Sequence, residues 1–179
     1  MKKILLCSLA SLFLVGCAAN NTVILKNSFN EAEAQKLLTK GTNTITGSSF
    51  MRQKGGTVVT CAGQSVSLVP ATSYAAERMT YIYRSDIKGA IPFNMFNELP
   101  SPKFVNEPAN FKNYSIKTVC DAQGNFTFEN VADGDFYVVS IIYWDIGNVS
   151  MDFGARQGGS LMQKVTVKNS ETKKIILTP

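Results

Sequence analysis

Short stretches in which apolar and polar residues alternate follow one another from residue 41 to the end of the chain, with turn residues between them. Alternation with a period of two is typical of strands that bury one face, and frequent turns between such strands are typical of a β-sandwich. The fold class is therefore expected to be mainly β, with antiparallel strands. The pattern predicts strands at 44–51, 57–62, 65–70, 114–120, 125–131, 135–144, 162–168 and 172–178.

One of these predicted strands is apolar on both faces. It contains the run from Phe136 to Trp144, which lacks the polar alternation of the other strands. A strand of this kind is covered on each side, so it is expected to lie at the centre of its sheet. We expect the sandwich to cover one face and an N-terminal helix to cover the other.

The N-terminal helix is predicted at residues 28–40. Ser28 and Glu31 have the spacing of a capping box, and Gly41 stands where a glycine often ends a helix. The segment at 22–26 before this helix is predicted to form a short strand.

A second, short helix is predicted at 72–83, within an insertion at about 71–112. Tyr74, Arg78 and Tyr81 share one face of this helix. Such a face is able to stack on a planar or sugar ligand, or to cover the protein's own sandwich. Both alternatives remain open from the sequence.

The rest of the insertion, residues 84–112, is rich in proline and phenylalanine. A connection of this length in a compact domain usually either has a function or folds over a core. It is the best candidate for a partner-binding surface, with Phe93 and Phe96 as the proposed contact residues. The alternative is a strap that packs on the sandwich.

The N-terminus resembles a bacterial lipoprotein signal peptide. Residues 1–16 combine two lysines with an apolar run that is too short to span a bilayer, and they end in Leu-Val-Gly before Cys17. The resemblance implies cleavage before Cys17 and acylation of that residue, with palmitate among the acyl chains. In enterobacterial lipoproteins, an aspartate directly after the acylated cysteine resembles a signal for retention in the inner membrane. This chain has Ala18 at that position, which favours export to the outer membrane.

These features predict a protein held by its lipid anchor in the outer membrane, on the periplasmic face. Residues 17–27 are expected to be the lipidated N-terminus and a short tether. Residues 28–179 are expected to form a single sandwich domain. The net charge is +5 without a basic run, so no nucleic-acid partner is predicted.

Cysteine use fits an oxidising compartment. Apart from Cys7 in the signal segment and the acylated Cys17, the chain has Cys61 and Cys120. They are expected to form one disulfide, and two buried thiols are the alternative. No pair of cysteines has the spacing of a redox catalyst or of a zinc site.

Candidate chemistry is sparse. The chain contains no histidine, which excludes histidine-dependent catalysis and histidine-liganded metals. Residues 154–159 are rich in glycine but lack the ending of a phosphate loop, and they are predicted to be a hairpin tip. The sequence therefore predicts no catalytic residues, no cofactor and no metal site.

The aspartates are the remaining candidates for acid–base or metal-binding groups. Asp121, Asp133 and Asp135 are expected to lie in turns and to accept hydrogen bonds from nearby backbone amides. Asp145 and Asp152 flank a glycine-containing loop. One hypothesis is that these two carboxylates act as a general acid and a general base. The alternative is that both lie in a solvated loop.

Two blocks of sequence resemble the carboxypeptidase regulatory-like domain family. Residues 120–131 and 133–138 read CDAQGNFTFENV and DGDFYV, and residues 56–59 and 65–70 resemble the opening strands of that family. The resemblance implies a transthyretin-like, also called prealbumin-like, antiparallel β-sandwich. Members of the family are mostly non-catalytic accessory modules, which implies the same here.

Taken together, the sequence predicts a non-catalytic outer-membrane lipoprotein that binds or scaffolds another envelope component. The partner is expected to be an envelope protein or a glycan. One alternative is an accessory assembly lipoprotein of a secretion or conjugation apparatus, which rests on architecture alone. The other is a carboxylate-dependent envelope hydrolase or a glycan-binding protein.

Overall fold

Two β-sheets stack face to face in the part of the chain that the computed structural model describes, residues 22–93, 102–105, 107–146 and 155–179. The helices are α1 (Glu31–Leu37) and α2 (Ser73–Tyr83), and a 3₁₀ turn spans Phe111–Asn113. The mainly β prediction is confirmed. The strands are β1 (Thr22–Val23), β2 (Asn43–Arg52), β3 (Val58–Thr60), β4 (Ser65–Pro70), β5 (Lys88–Phe93), β6 (Lys103–Phe104), β7 (Ile116–Val119), β8 (Asn125–Val131), β9 (Gly134–Ile146), β10 (Ala155–Val167) and β11 (Thr172–Leu177).

The larger sheet has five antiparallel strands in the order β5-β10-β9-β4-β7. In the other sheet β11 lies parallel to β2 on one side, and β8 and β3 lie antiparallel to β2 on the opposite side. Both sheets contribute to one core, which includes Ile45, Phe128 and Leu177 from the smaller sheet and Leu68 and Val138 from the larger. This arrangement is that of a β-sandwich.

Each predicted strand overlaps an observed one, but β10 begins earlier than predicted. The prediction of a hairpin tip at 154–159 is wrong because residues 155–159 belong to β10 and pair with residues 142–146 of β9. The glycines there serve a close approach of strands: a Cβ at Gly158 would collide with the carbonyl oxygen of Ile142. Strand β5 lies inside the predicted insertion, so the insertion supplies an edge strand of the sandwich.

The doubly apolar strand β9 is central, as predicted, but its second cover is α2. Ala75 and Met79 of α2 pack on Tyr137 of β9 and Met162 of β10, on the face opposite the main core. The expectation that the N-terminal helix covers this face is wrong. Burial raises the pKa of Tyr137 to about 12, because the ionised phenol would lose its water there.

Helix α1 is shorter than predicted and lies at one end of the sandwich. Its N-cap is Asn30, whose side chain accepts a hydrogen bond from the backbone N–H of Glu33, so the predicted capping box at Ser28 is wrong. Gly41 does not end the helix. It allows close approach to β8, because a Cβ there would collide with the carbonyl oxygen of Val131. Neither helix in the described ranges is long and apolar enough to cross a membrane.

Cys61 and Cys120 form the predicted disulfide, with their Cα atoms 5.7 Å apart. The bond joins the segment after β3 to the segment after β7, and both cysteines are buried in the main core. The cysteines are separated by 59 positions in sequence. Closing a loop of this size in the unfolded chain contributes about 4 kcal/mol to stability on the loop-entropy estimate.

The segment before α1 is tied to α2 by a single carboxylate. The backbone N–H groups of Lys26 and Asn27 and the side-chain amide of Asn27 donate hydrogen bonds of 2.8–3.1 Å to Glu77. These bonds, that of Lys26 foremost, lower the pKa of Glu77 below its ordinary value of 4.5. Just upstream, β1 pairs in parallel with β6.

The Glu77 contact predicts that the bonds between Glu77 and the backbone of Lys26 and Asn27 are weakened in acid. A carboxylate whose pKa is lowered on folding stabilises the folded contact above its ordinary pKa, and that stabilisation is lost as the pH falls through the folded pKa. In NMR spectra recorded from pH 7 to pH 3, the amide signals of Lys26 and Asn27 should therefore titrate below pH 4.5. In Glu77→Gln this titration should be absent.

The matched control is Glu129→Gln, which removes an exposed carboxylate from β8. It should leave the titration of the Lys26 and Asn27 amides as in the parent chain. An unchanged titration in Glu77→Gln would contradict the assigned contact.

Candidate functional site

A segment of the insertion lies across α2. We call it the strap and define it as residues 102–105 and 107–114. Its main contact is Arg78, whose guanidinium is 4.0 Å from the ring centre of Phe104 and 4.6 Å from that of Phe111. Arg78 Nη2 also lies 3.0 Å from Glu107 Oε1. One buried cation therefore holds three strap residues that are distant from it in sequence.

Aromatic rings extend this contact to the N-terminal segment. Phe29, which precedes α1, packs edge-on against Phe111 and Tyr114, with ring centres 5.3 and 5.0 Å apart. Tyr74 of α2 packs on Phe111 at 5.0 Å and on Phe29 at 5.6 Å. The Tyr114 hydroxyl donates to Glu31, and burial together with this bond raises the pKa of Tyr114. The strap, α1 and α2 thus form one packed unit.

A concave surface lies between this unit and the outer face of the five-stranded sheet. We call it the outer groove. Its volume is about 390 Å³, which is within the range of small-molecule sites. The residues that line it are Ser67, Val69, Arg78, Met79, Ile82, Tyr83, Phe111, Lys112, Tyr114, Ser115, Lys117, Val139 and Ile141.

The outer groove has an apolar floor and a polar rim. Val139 and Ile141 of β9 supply part of the floor, and Ile141 is 40% exposed. The rim carries hydroxyl groups and the ammonium groups of Lys112 and Lys117, which are both exposed. An apolar surface edged by hydrogen-bonding groups suits a ligand with one apolar face and many polar substituents.

Beyond Ile141 the outer face of β9 continues to Tyr143, which is 40% exposed. The guanidinium of Arg156 lies 4.7 Å from the Tyr143 ring centre, and Arg156 Nε donates to Asp145 at 3.2 Å. Alternate residues of a strand share a face, so Tyr143 lies about 7 Å beyond Ile141 along the strand. The groove therefore leads onto an exposed aromatic ring.

A second cavity of about 410 Å³ lies at the C-terminal end of α2. Tyr81 and Tyr83 line it together with Val23 and residues of β5. The Tyr83 hydroxyl shares a 2.6 Å hydrogen bond with Ser160, and burial raises the pKa of Tyr83. Tyr83 also lines the outer groove, so its paired hydroxyl is shared by the walls of both cavities.

The residues proposed from the sequence as partner-binding are thus separated. Tyr74 and Arg78 are buried beneath the strap, while Tyr81 is exposed and lines the second cavity. Phe93 is the last residue of β5, opposite Gly158 of β10, and is partly buried. Phe96 lies outside the described residues, as does Cys17. Of the five proposed partner-binding residues, Arg78 lines the outer groove.

The aspartates of the two sequence blocks have structural partners. Asp121 accepts from the backbone N–H groups of Asn125 and Gln123, and these bonds, led by that of Asn125, lower its pKa. Asp133 accepts from Asn43 and Asn169. Asp135 lies in β9 rather than in a turn. The hydroxyl of Thr166 and then Lys164 lower its pKa.

Asp145 is paired with Arg156, and Asp152 lies outside the described residues. Within the described ranges, no three cysteine, aspartate or glutamate side chains gather as a metal site would require. The arrangement that the structure offers for chemistry is therefore the outer groove.

Apart from Arg78, sequence reasoning missed the residues of this groove, although a signal was present. Helix α2 has 11 residues and is about 16 Å long, while β9 has 13 residues and is about 44 Å long. A helix of this length cannot cover the whole outer face of a doubly apolar strand. The uncovered part, at Ile141 and Tyr143, is where the groove opens.

No protein-family model and no curated protein sequence matches the chain. Among solved structures, a candidate carbohydrate-binding protein from Pseudomonas aeruginosa is similar to it, with a TM-score of 0.66 over 86% of this chain and 99% of that chain. The sequence identity is 21%. At this identity the likeness shows a shared fold.

The Arg78 contact predicts that the strap contributes to stability. Replacing Arg78 with Met leaves the Glu107 carboxylate without its partner and the strap rings without their cation. The free energy of unfolding in urea should fall by about 2–4 kcal/mol.

Arg156→Met is the matched control, because Arg156 also has a carboxylate and an aromatic partner. Its side chain is 61% exposed, against 11% for Arg78, so its loss should cost less than about 1 kcal/mol. Equal losses in the two variants would show that the strap is not held by Arg78.

Proposed function

We propose that the protein is a non-catalytic binding module, anchored by lipid in the bacterial outer membrane, and that its outer groove binds a saccharide. The observation that carries the proposal is the groove itself. It is open, has an apolar floor and has hydroxyl and ammonium groups at its rim. A sugar ring has an apolar face and a polar edge, so it matches these two surfaces.

Two further observations support a saccharide ligand. The fold is shared with a candidate carbohydrate-binding protein. The groove is also built on rigid elements, since its floor belongs to the five-stranded sheet and Arg78 fixes one wall. A binding site on a rigid scaffold loses little entropy when its ligand is bound.

We infer that the sandwich is transthyretin-like, of the carboxypeptidase regulatory-like type. The support is the placement of the block at 120–138, which forms the turn after β7, strand β8 and the start of β9. In that turn Asp121 accepts the bonds described above, and Gly124 adopts a φ of 82°.

A non-catalytic role is supported by the chemistry of the chain. The sequence has no histidine, and Asp121, Asp133, Asp135 and Asp145 are each engaged in hydrogen bonds or ion pairs. A hydrolase built on two carboxylates needs both of them facing one substrate. The outer groove has no aspartate or glutamate among the described residues that line it.

The groove predicts saccharide binding by the full lipidated chain in detergent, measured on an array of neutral and acidic oligosaccharides. Ile141→Ser removes apolar contact area from the floor and should weaken binding about tenfold, which corresponds to about 1.4 kcal/mol.

Ile176→Ser on β11 is the matched control, because Ile176 is also exposed, at 52%, and does not line the groove. It should bind like the parent chain. Failure of the parent chain to bind any oligosaccharide would refute the proposal, as would equal weakening by the two variants.

The proposed lipid anchor predicts that the chain is found in a different cell fraction when Cys17 is replaced. Cys17→Ser removes the residue that the lipobox resemblance marks for acylation. The chain should then be lost from the outer-membrane fraction, because it is neither acylated nor cleaved at this site, and should lose incorporation of labelled palmitate. Cys7→Ser, which alters the signal segment only, should leave both readouts unchanged. Unchanged recovery of Cys17→Ser in the outer-membrane fraction, or unchanged palmitate labelling, would contradict anchoring at this residue.

A further inference from the structure

We infer that the saccharide bound in the outer groove carries carboxylate groups, as an oligosaccharide of uronic acids does. The inference rests on the proposed function of this groove and adds the chemical class of the ligand. It starts from the charges that line the groove, which are Arg78, Lys112 and Lys117. No carboxylate faces them among the described residues of the lining.

The two lysines supply the uncompensated charge. The charge of Arg78 is neutralised by Glu107 of the strap, which does not line the groove. Lys112 is the middle residue of the 3₁₀ turn, and Lys117 lies on the edge strand β7. Neither lysine belongs to an ion pair in the described part of the chain. A groove with two such charges attracts an anion.

The hydrogen-bonding groups point to the same ligand. Lysine ammonium groups donate hydrogen bonds and cannot accept them. The described lining contains no carboxylate and no side-chain amide. The side-chain acceptors for sugar hydroxyls are therefore the oxygens of Ser67, Ser115 and the tyrosines. A lining with more donors than acceptors favours a ligand that is rich in acceptors, and a carboxylate adds two acceptor oxygens to each sugar.

The same lining favours carboxylate over phosphate. Phosphate sites commonly use backbone N–H groups at a helix N-terminus or the fork of an arginine. The outer groove meets α2 along its C-terminal half, at Arg78, Met79, Ile82 and Tyr83, and the guanidinium of Arg78 is already paired. Lysine ammonium groups bind either anion, so the distance of the groove from the N-terminus of α2 and the paired guanidinium of Arg78 are what favour a carboxylate here.

The exposed surface beyond the groove has room for more than one sugar. Tyr143 offers an exposed ring about 7 Å beyond Ile141, and Arg156 lies over that ring. An oligosaccharide that runs along β9 would meet the lysines at one end and the Tyr143–Arg156 pair at the other. We therefore assign an oligomer rather than a monosaccharide.

The test uses the full lipidated chain in detergent and pairs of ligands that differ at the carboxyl group alone, which is charged in the acid and neutral in the methyl ester. Oligomers of galacturonate, glucuronate and mannuronate are compared by calorimetry with their methyl esters, at 20 and 200 mM NaCl. At least one acid should bind about tenfold more tightly than its ester at low salt, and high salt should reduce the difference.

The variant Lys112→Gln/Lys117→Gln should bring the affinity for the acid down to that for the ester and leave the ester unaffected. Lys173→Gln/Lys174→Gln is the matched control, because it removes two exposed lysines from β11, outside the groove. It should bind the acid as the parent chain does.

Each other outcome is decisive. Equal binding of acid and ester would leave the saccharide proposal standing and overturn the carboxylate inference. Unchanged acid binding in the Lys112→Gln/Lys117→Gln variant, or displacement of the acid by inorganic phosphate at equal concentration, would also overturn it. If the parent chain binds neither the acids nor their esters nor any neutral oligosaccharide, the proposed function itself is refuted.

Discussion

Strand β9 is apolar on both faces, and the rest of the structure covers one face with the second sheet and part of the other with α2, leaving Ile141 and Tyr143 exposed. Phe136 and Val138 meet the main core, while Tyr137 and Val139 face α2. Leaving either face exposed would cost about 25 cal/mol for each Å² of apolar surface. The second sheet covers one face in full. The other face is covered by α2 alone. Because α2 is too short to cover the whole strand, the groove opens where the cover ends.

Arg78 connects this cover to the groove. Its guanidinium lies between the strap rings and Glu107, and in this position it fixes the strap on α2. A buried arginine is stable only if its charge is matched, and Glu107 supplies the match. The strap then places Phe111 and Tyr114 beside the outer face of the sheet. One ion pair thereby determines the shape of a wall that the sheet alone would not supply.

The periodic part of the fold was predictable from the sequence. The strands, the disulfide, the helix at 72–83 and the Asp121 turn follow from local patterns of two to five residues or from compartment chemistry. The cap at Asn30 was misplaced because Ser28 offered an equally good local signal. The start of β10 was missed because glycines typical of turns here allow two strands to approach closely.

The candidate site was largely beyond prediction because its contacts join distant parts of the chain. Arg78 and Glu107 are 29 positions apart, and no periodicity connects them. The pattern did place Tyr74 and Arg78 on one helix face, but it could not show that the strap covers that face. Lys117 comes to share the groove with Ile141 only through the pairing of β7 with β4 and of β4 with β9, and Lys112 only through the position of the strap.

The adjacent residues Glu77 and Arg78 give α2 two further roles. Glu77 binds the backbone that leads to the N-terminus, and Arg78 binds the strap. Because both contacts are electrostatic and both are made by one helix, the tether and the groove wall rest on the same element. Because β1 pairs with β6 just upstream of the Glu77 contact, the N-terminal segment is held by the strap as well as by α2, and α2 in turn packs on Tyr137 of β9.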